Sequence, residues 1–185
     1  MVDPALAKAE EKMTGAVEAL KRELSGVRTG RASPTLVEHV KVDYNDVPTP
    51  LNHMASISTS GTNLIVIQPW DQSTLHLIEK SILKTNLGLT PTSDGRVIRL
   101  AIPPLSEERR QELVRMVKKI TEDQKVIVRN IRRDANEDIK KMERDKEISQ
   151  DDLKRGEAKL QKLTDAYIAQ LEQIAAAKEE ELKQV

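Results

Sequence analysis

Apolar residues in the first thirty positions recur at spacings of three, four and seven. Leu6, Met13, Val17, Leu20, Leu24 and Val27 fall on one line, with Ala9 and Ala16 beside it. That is the period of a single helix face, and the Lys, Arg and Glu between them keep the rest polar. The pattern predicts an amphipathic helix from Asp3 to about Arg28, with Asp3 as N-cap and Pro4 at the first helical position. TGRASP should end it, because Gly30 supplies a C-terminal stop and Pro34 forbids continuation. The period then changes. Between Gly30 and Leu105 lie all but one of the eight prolines and four of the seven glycines. The β-branched runs LVEHVKVD, HMASIS, NLIVIQPW and RVIRLAI read as strands. Gly61 with Asn63 marks one turn, and Ser93-Asp94-Gly95 another. STLHLIEKSILK carries Leu75, Ile78, Ile82 and Leu83 at helical spacing, with Ser73 as the expected N-cap.

From Ser106 the helical period returns. Leu113, Val117, Ile120, Ile127, Ile131 and Met142 form one stripe. After the interruption KEISQDD, with Ser149 as the next N-cap, Leu153, Leu160, Leu163, Tyr167, Leu171 and Ile174 form another. Each helix should run for more than 30 residues, about 45–60 Å. Three helices that cannot bury their stripes alone predict an α+β protein: an antiparallel three-helix bundle with an inserted small α/β domain. The bundle takes residues 1–29 and 106–185, the insertion residues 30–105. The chain then crosses between them twice, at Thr29-Gly30-Arg31 and Pro103-Pro104-Leu105, which suggests a restricted two-stranded hinge.

Composition sharpens this picture. Aromatic residues make up 2% and Phe is absent, which disfavours a thick core, while 32% charged residues favour long amphipathic helices. There is no cysteine, so disulfides, thiol nucleophiles and thiolate metal sites are excluded. Apolar runs are only a few residues long, and the acidic N-terminus lacks the pattern of a targeting segment. A cytoplasmic monomer with no membrane partner is expected. Thirty basic and thirty acidic side chains cancel, so any contact with a polyanion must come from a local patch.

One such patch is legible in KVIVRNIRRDAN. With Arg129 set at zero and ~100° per residue, Arg132 lies at about −60° and Arg133 at about +40°. Lys118, Lys125, Asn136 and Lys140 fall within about 40° of zero, whereas Leu113, Ile120, Ile127, Ile131 and Met142 fall near 160–220°. This arithmetic sets the basic stripe opposite the core. A charge-rich helix face is ordinarily just solvated. Here arginine dominates, and its planar fork suits phosphate. Ser106 to Arg133 holds nine basic residues against five acidic, while the chain from Glu147 onward holds six against nine. Charge polarised within a neutral chain suits docking on a structured phosphate surface in one orientation. The alternative is a coiled-coil scaffold that binds protein, which a second exposed apolar stripe would favour.

No catalytic centre, metal site or cofactor is expected. His39, His53 and His76 lack ligand spacing. Ser81 and Lys84 match a serine–lysine pattern only formally, inside a helix and without companion motifs. Gly30 and Gly95 are isolated, so no phosphate loop exists. Trp70 beside Pro69 is more readily a satellite-core or surface anchor than a stacking platform.

VRTGRASP, LGLTP, IPPLSEERR, VRNIRRDAN and QKLTDAYI, in this order and spacing, resemble the bacterial ribosome recycling factors over essentially the whole chain. The resemblance implies an L-shaped molecule whose bundle lies on large-subunit ribosomal RNA near the peptidyl-transferase region. It implies action with elongation factor G and GTP to separate the subunits and release mRNA and tRNA, with no enzymatic activity of its own. It makes Arg129, Arg132 and Arg133 ribosomal-RNA contacts, joined by Arg28. Lys118 and Lys125, on the same stripe, complete the expected surface. Arg31, in the hinge motif, is structural or RNA-facing. DYNDVPTP departs from the tyrosine pair and glycine of many members, which leaves the turn at Asn45-Asp46 open.

Overall fold

The computed structural model describes residues 2–184. Its helices are α1 (Asp3–Ser25), α2 (Leu75–Lys84), α3 (Glu107–Arg144) and α4 (Gln150–Lys183). The described chain divides into two compact units, residues 2–28 with 107–184, and residues 29–106.

The first unit is the packing of α1, α3 and α4 on one another. Val2 sits beside Gly156, Thr14 Oγ1 lies 2.9 Å from the Tyr167 hydroxyl, and Gln124 of α3 donates to Glu23 at 3.2 Å. α1 therefore runs parallel to α4 and antiparallel to α3. The core is aliphatic: Met13, Leu20, Val117, Val128, Ile139 and Leu171 are fully buried. Burying such a side chain contributes about 1.5–3 kcal/mol, so no aromatic residue is needed to hold the bundle. Helices approach closely where a side chain is absent: a Cβ on Gly156 would lie 3.0 Å from Val2 Cγ1.

Local signals at the helix ends differ from expectation in two places. Val2, not Asp3, is the N-cap of α1, so Asp3 is the first helical residue and its carboxylate favours the helix dipole there. The helix ends at Ser25 with Gly26 as C-cap, earlier than Gly30. Gly30 instead takes φ 74 in the connecting segment, a left-handed conformation that glycine adopts without the strain a Cβ brings. At the other end, Ser149 caps α4 as expected, in a capping box with Asp152. The Ser149 hydroxyl and amide hold that carboxyl below its ordinary range. α3 closes with Lys146 N–H donating to Glu143 C=O (3.0 Å) and Glu147 N–H to Met142 C=O (2.9 Å). That is a Schellman closure, and it puts Lys146 at φ 60.

In the second unit, β1 (Lys41–Tyr44) pairs antiparallel with β2 (Val47–Pro50). A four-stranded antiparallel sheet follows, from β3 (Ala55–Ser60), β4 (Leu64–Pro69), β5 (Pro91–Ser93) and β6 (Ile98–Ala101), in the order β3-β4-β6-β5. Alternation on β4 and β6 turns Ile65, Ile67, Ile98 and Leu100 inward, into one core with Val42 of β1 and Leu75, Ile78 and Ile82 of α2. Asn45 (φ 51) and Asp46 (φ 61) make the two-residue turn between β1 and β2, where both central residues need positive φ. VPTP forms a strand despite its prolines because β2 pairs on one side only, so a missing N–H can face outward. LVEHVKVD is strand only from Lys41; Pro34–Leu36 is a 3-10 turn.

Two expectations about α2 are corrected. Thr74, not Ser73, is its N-cap and makes no side-chain capping bond; Asp71 caps the 3-10 turn Gln72–Thr74 just before it, accepting from the Ser73 amide (3.0 Å) and hydroxyl (2.7 Å). These bonds hold the Asp71 carboxyl below its usual range. Leu83 is exposed, because Ile78 and Ile82 already fill the inward face. At the β5–β6 turn Asp94 accepts from the amides of Val97 and Arg96 and from the Arg99 guanidinium, which holds its carboxyl well below the ordinary range.

Candidate nucleic-acid interface

The face that α3 buries decides where its basic residues point. The buried line is Leu113, Val117, Thr121, Gln124, Val128, Ala135 and Ile139. With Arg129 at zero, most of this line falls at about −80° to −120°. The expected core line, near 180°, is thus rotated by about a quarter turn. Ile127, expected in the core, is 43% exposed, and Ile120, Ile131 and Met142 are only half-buried. The physical reason lies in the partners. α3 packs against α1 and α4 together, and the line that faces both carries Thr121, Gln124 and Ala135 alongside Val117, Val128 and Ile139. Thr121 is satisfied within its own helix, its Oγ1 donating to Val117 C=O at 2.7 Å, whereas Gln124 Nε2 donates across to Glu23 of α1 and its Oε1 is buried without a partner.

The basic stripe consequently borders the core and does not oppose it. It lies along the seam where α3 meets α4. Arg132, half-buried, donates to Gln161 Oε1 at 3.2 Å, and Gln161 in turn donates to Asp165 at 2.8 Å. Arg133 is exposed and has no ion-pair partner among the described residues. Arg132, Arg133 and Asn136 line one open groove of about 210 Å³ with Glu157, Leu160 and Gln161 of α4. A second groove of about 270 Å³ lies further along the seam, where Lys118 and Lys125 meet Glu172 and Glu179. Lys125 is held at 2.8 Å from Glu172, with only 17% of its side chain exposed. Arg129 sits between the grooves and pairs with Glu122 at 2.9 Å.

The structure thus brings Arg132 and Arg133 together on one groove, and Lys118 and Lys125 on the other. Arg28 is exposed in the segment after α1 and lines neither groove. The residues that sequence reasoning missed are those of α4: Glu157, Gln161, Glu172 and Glu179. Their spacings of four, eleven and seven mark one helix face. That face was legible, but its pairing with the basic stripe of α3 was not. The first groove can hold a phosphate or a base edge through two guanidiniums and an amide. Among the described residues, no group of His, Cys, Asp or Glu could hold a metal ion, and no helix is long and apolar enough to cross a membrane.

Long packed helices, an inserted sheet domain and an open cationic seam define an α+β helical-bundle protein. The chain belongs to the ribosome recycling factor family: the model described as "Ribosome recycling factor" matches residues 20–182. It is 57% identical over 185 residues to the ribosome-recycling factor of Dehalococcoides mccartyi strain ATCC BAA-2266 / KCTC 15142 / 195, covering 100% of both chains. It is similar to a solution structure of the ribosome recycling factor, with TM-score 0.76, 47% identity, and coverage of 100% of this chain and 98% of the other. A second solved structure aligns with TM-score 0.65 and 41% identity over 98% of each chain. It is a model of the T. thermophilus ribosome recycling factor with E. coli elongation factor G bound to the E. coli post-termination complex.

Proposed function

We propose that this chain binds the post-termination ribosome in the cytoplasm as a monomer and, with elongation factor G and GTP, separates the subunits and frees mRNA and tRNA. The bundle docks on large-subunit ribosomal RNA near the peptidyl-transferase region through Arg129, Arg132 and Arg133, with Arg28, Lys118 and Lys125 as outlying contacts. Residues 30–105 form the domain on which elongation factor G acts. The segments Thr29-Gly30-Arg31 and Pro103-Pro104-Leu105 serve as the hinge. The chain works by binding, and the GTP chemistry belongs to its partner.

The observation that carries this reading is the groove of Arg132, Arg133 and Asn136, in a chain whose family match spans residues 20–182. Balanced charge in residues 30–105, six basic against six acidic, supports leaving RNA docking to the bundle. The scaffold alternative gains little: Met116, Val126 and Ile127 are exposed on α3. Met116 and Ile127 share a side, but about 16 Å apart along the axis, and Asp123 lies between them.

The test is co-sedimentation with purified large subunits across a salt series. A charge-assisted contact is worth roughly 1.5–3 kcal/mol, so Arg133→Ala should lower affinity about tenfold to hundredfold. It should also flatten the log–log salt dependence by about 1 while helicity stays unchanged. Unaltered binding by a folded variant removes Arg133 from the docking face.

A further inference from the structure

The basic seam carries its own competitors. Lys125 Nζ lies 2.8 Å from Glu172 and 3.9 Å from Glu122. Glu122 also holds Arg129 at 2.9 Å, across two turns of α3. The groove at this end carries three carboxylates, of Glu122, Glu172 and Glu179, against two ammonium groups. The groove of Arg132 and Arg133 carries two guanidiniums against one carboxylate, Glu157. So one stripe of cations is half self-neutralised and half open.

We propose that Glu122 and Glu172 are specificity-determining residues of the RNA face. They occupy Arg129 and Lys125 with internal ion pairs, so a polyanion must displace a carboxylate from each cation that it gains. This inference rests on the docking reading above. Its physical basis is a matter of magnitudes. The Arg129–Glu122 pair is about half exposed on both partners, and such a pair is weak, so a well-placed phosphate can replace it. A flexible polyanion that touches only this end exchanges one weak pair for another and gains little. A rigid surface that also fills the Arg132–Arg133 groove retains a surplus of open contacts. With zero net charge, the chain adds no long-range attraction that would blur the distinction. Glu122 is the stronger lever, because its carboxylate serves both cations.

The test compares Glu122→Gln with Glu18→Gln in the full chain. Glu18 is an exposed residue of α1 whose partner is Lys21, so the control removes the same charge elsewhere. Binding to poly(U) and to purified large subunits is measured across salt, with helicity checked by circular dichroism. Glu122→Gln should tighten poly(U) binding about two- to fivefold over the control. Its log–log salt slope should steepen by about 0.7 for each cation released. Large-subunit affinity should rise less, so that discrimination between the two ligands falls. Poly(U) binding equal to that of Glu18→Gln overturns the proposal. Equal tightening on both ligands overturns it too, since Glu122 then tunes affinity without selecting. Insensitivity of large-subunit binding to Arg133→Ala is a separate result: it defeats the docking reading, while the poly(U) arm still reports on Glu122.

Discussion

Ile127 and Ile139 look alike as residues of α3 and behave differently. Ile139 is fully buried and packs beside Gly156, whereas Ile127 is 43% exposed. Ile139→Ala should therefore destabilise the bundle by about 2–5 kcal/mol, the cost of lost burial plus a cavity. Ile127→Ala should fall within about 0.5 kcal/mol of the parent, as surface changes usually do. Urea unfolding of the two variants checks this, and equal losses would mean that α3 buries a different face in solution. The arginines follow the same rotation. Because the core line is Val117, Thr121 and Val128, the guanidinium of Arg132 comes against Gln161. Hydropathy alone favoured the isoleucine line, since Thr121 and Gln124 score as surface residues. It could not register that a hydroxyl satisfied by its own helix costs little inside.

At the scale of elements, capping chemistry was the most legible signal where the cap bonds within its own turn. Ser149 with Asp152 is such a case. Caps set by packing were not legible: Val2 stands at the start of α1 with its side chain buried against Gly156. The short strands β2 and β5 escaped notice for a related reason. Pro48, Pro50 and Pro91 argue against strand locally, and only the partner strand overrides them. The close of α3 yields a prediction of its own. Lys146 holds φ 60 in the Schellman turn, a conformation that strains a side chain with a Cβ. Lys146→Gly should stabilise the chain by up to about 1 kcal/mol, the relieved strain exceeding the added entropy of the unfolded glycine. Denaturant midpoints measure it, and a lower midpoint would show that the lysine side chain contributes more than its backbone costs.

For the whole molecule, the proposed division of labour between docking and movement rests on the connecting segments. Gly30 takes φ 74, and a Cβ there costs about 1–2 kcal/mol. Gly30→Ala should leave large-subunit affinity within about twofold, because no docking residue is touched. The same variant should slow subunit splitting with elongation factor G and GTP. Stopped-flow light scattering gives the splitting rate, and sedimentation gives the affinity. Equal losses in both would mean that the hinge segment belongs to the docking surface.

What the sequence determined by itself was periodic or local. The switch of apolar period from helical to alternating and back marked the helices of the bundle and most of the inserted strands, because that period is a property of one element at a time. The basic stripe was likewise visible, since charge and spacing lie in one helix. Only the tertiary structure decided which of two adjacent lines on α3 is buried, and that Glu172 and Gln161 of α4 stand against its cations. These are pairings between elements remote in sequence. They depend on how closely three helices approach, and that depends on side-chain size at the contact, such as the small buried residues Gly156, Thr164 and Ala175 of α4, together with the helices that meet them, which no single stretch records.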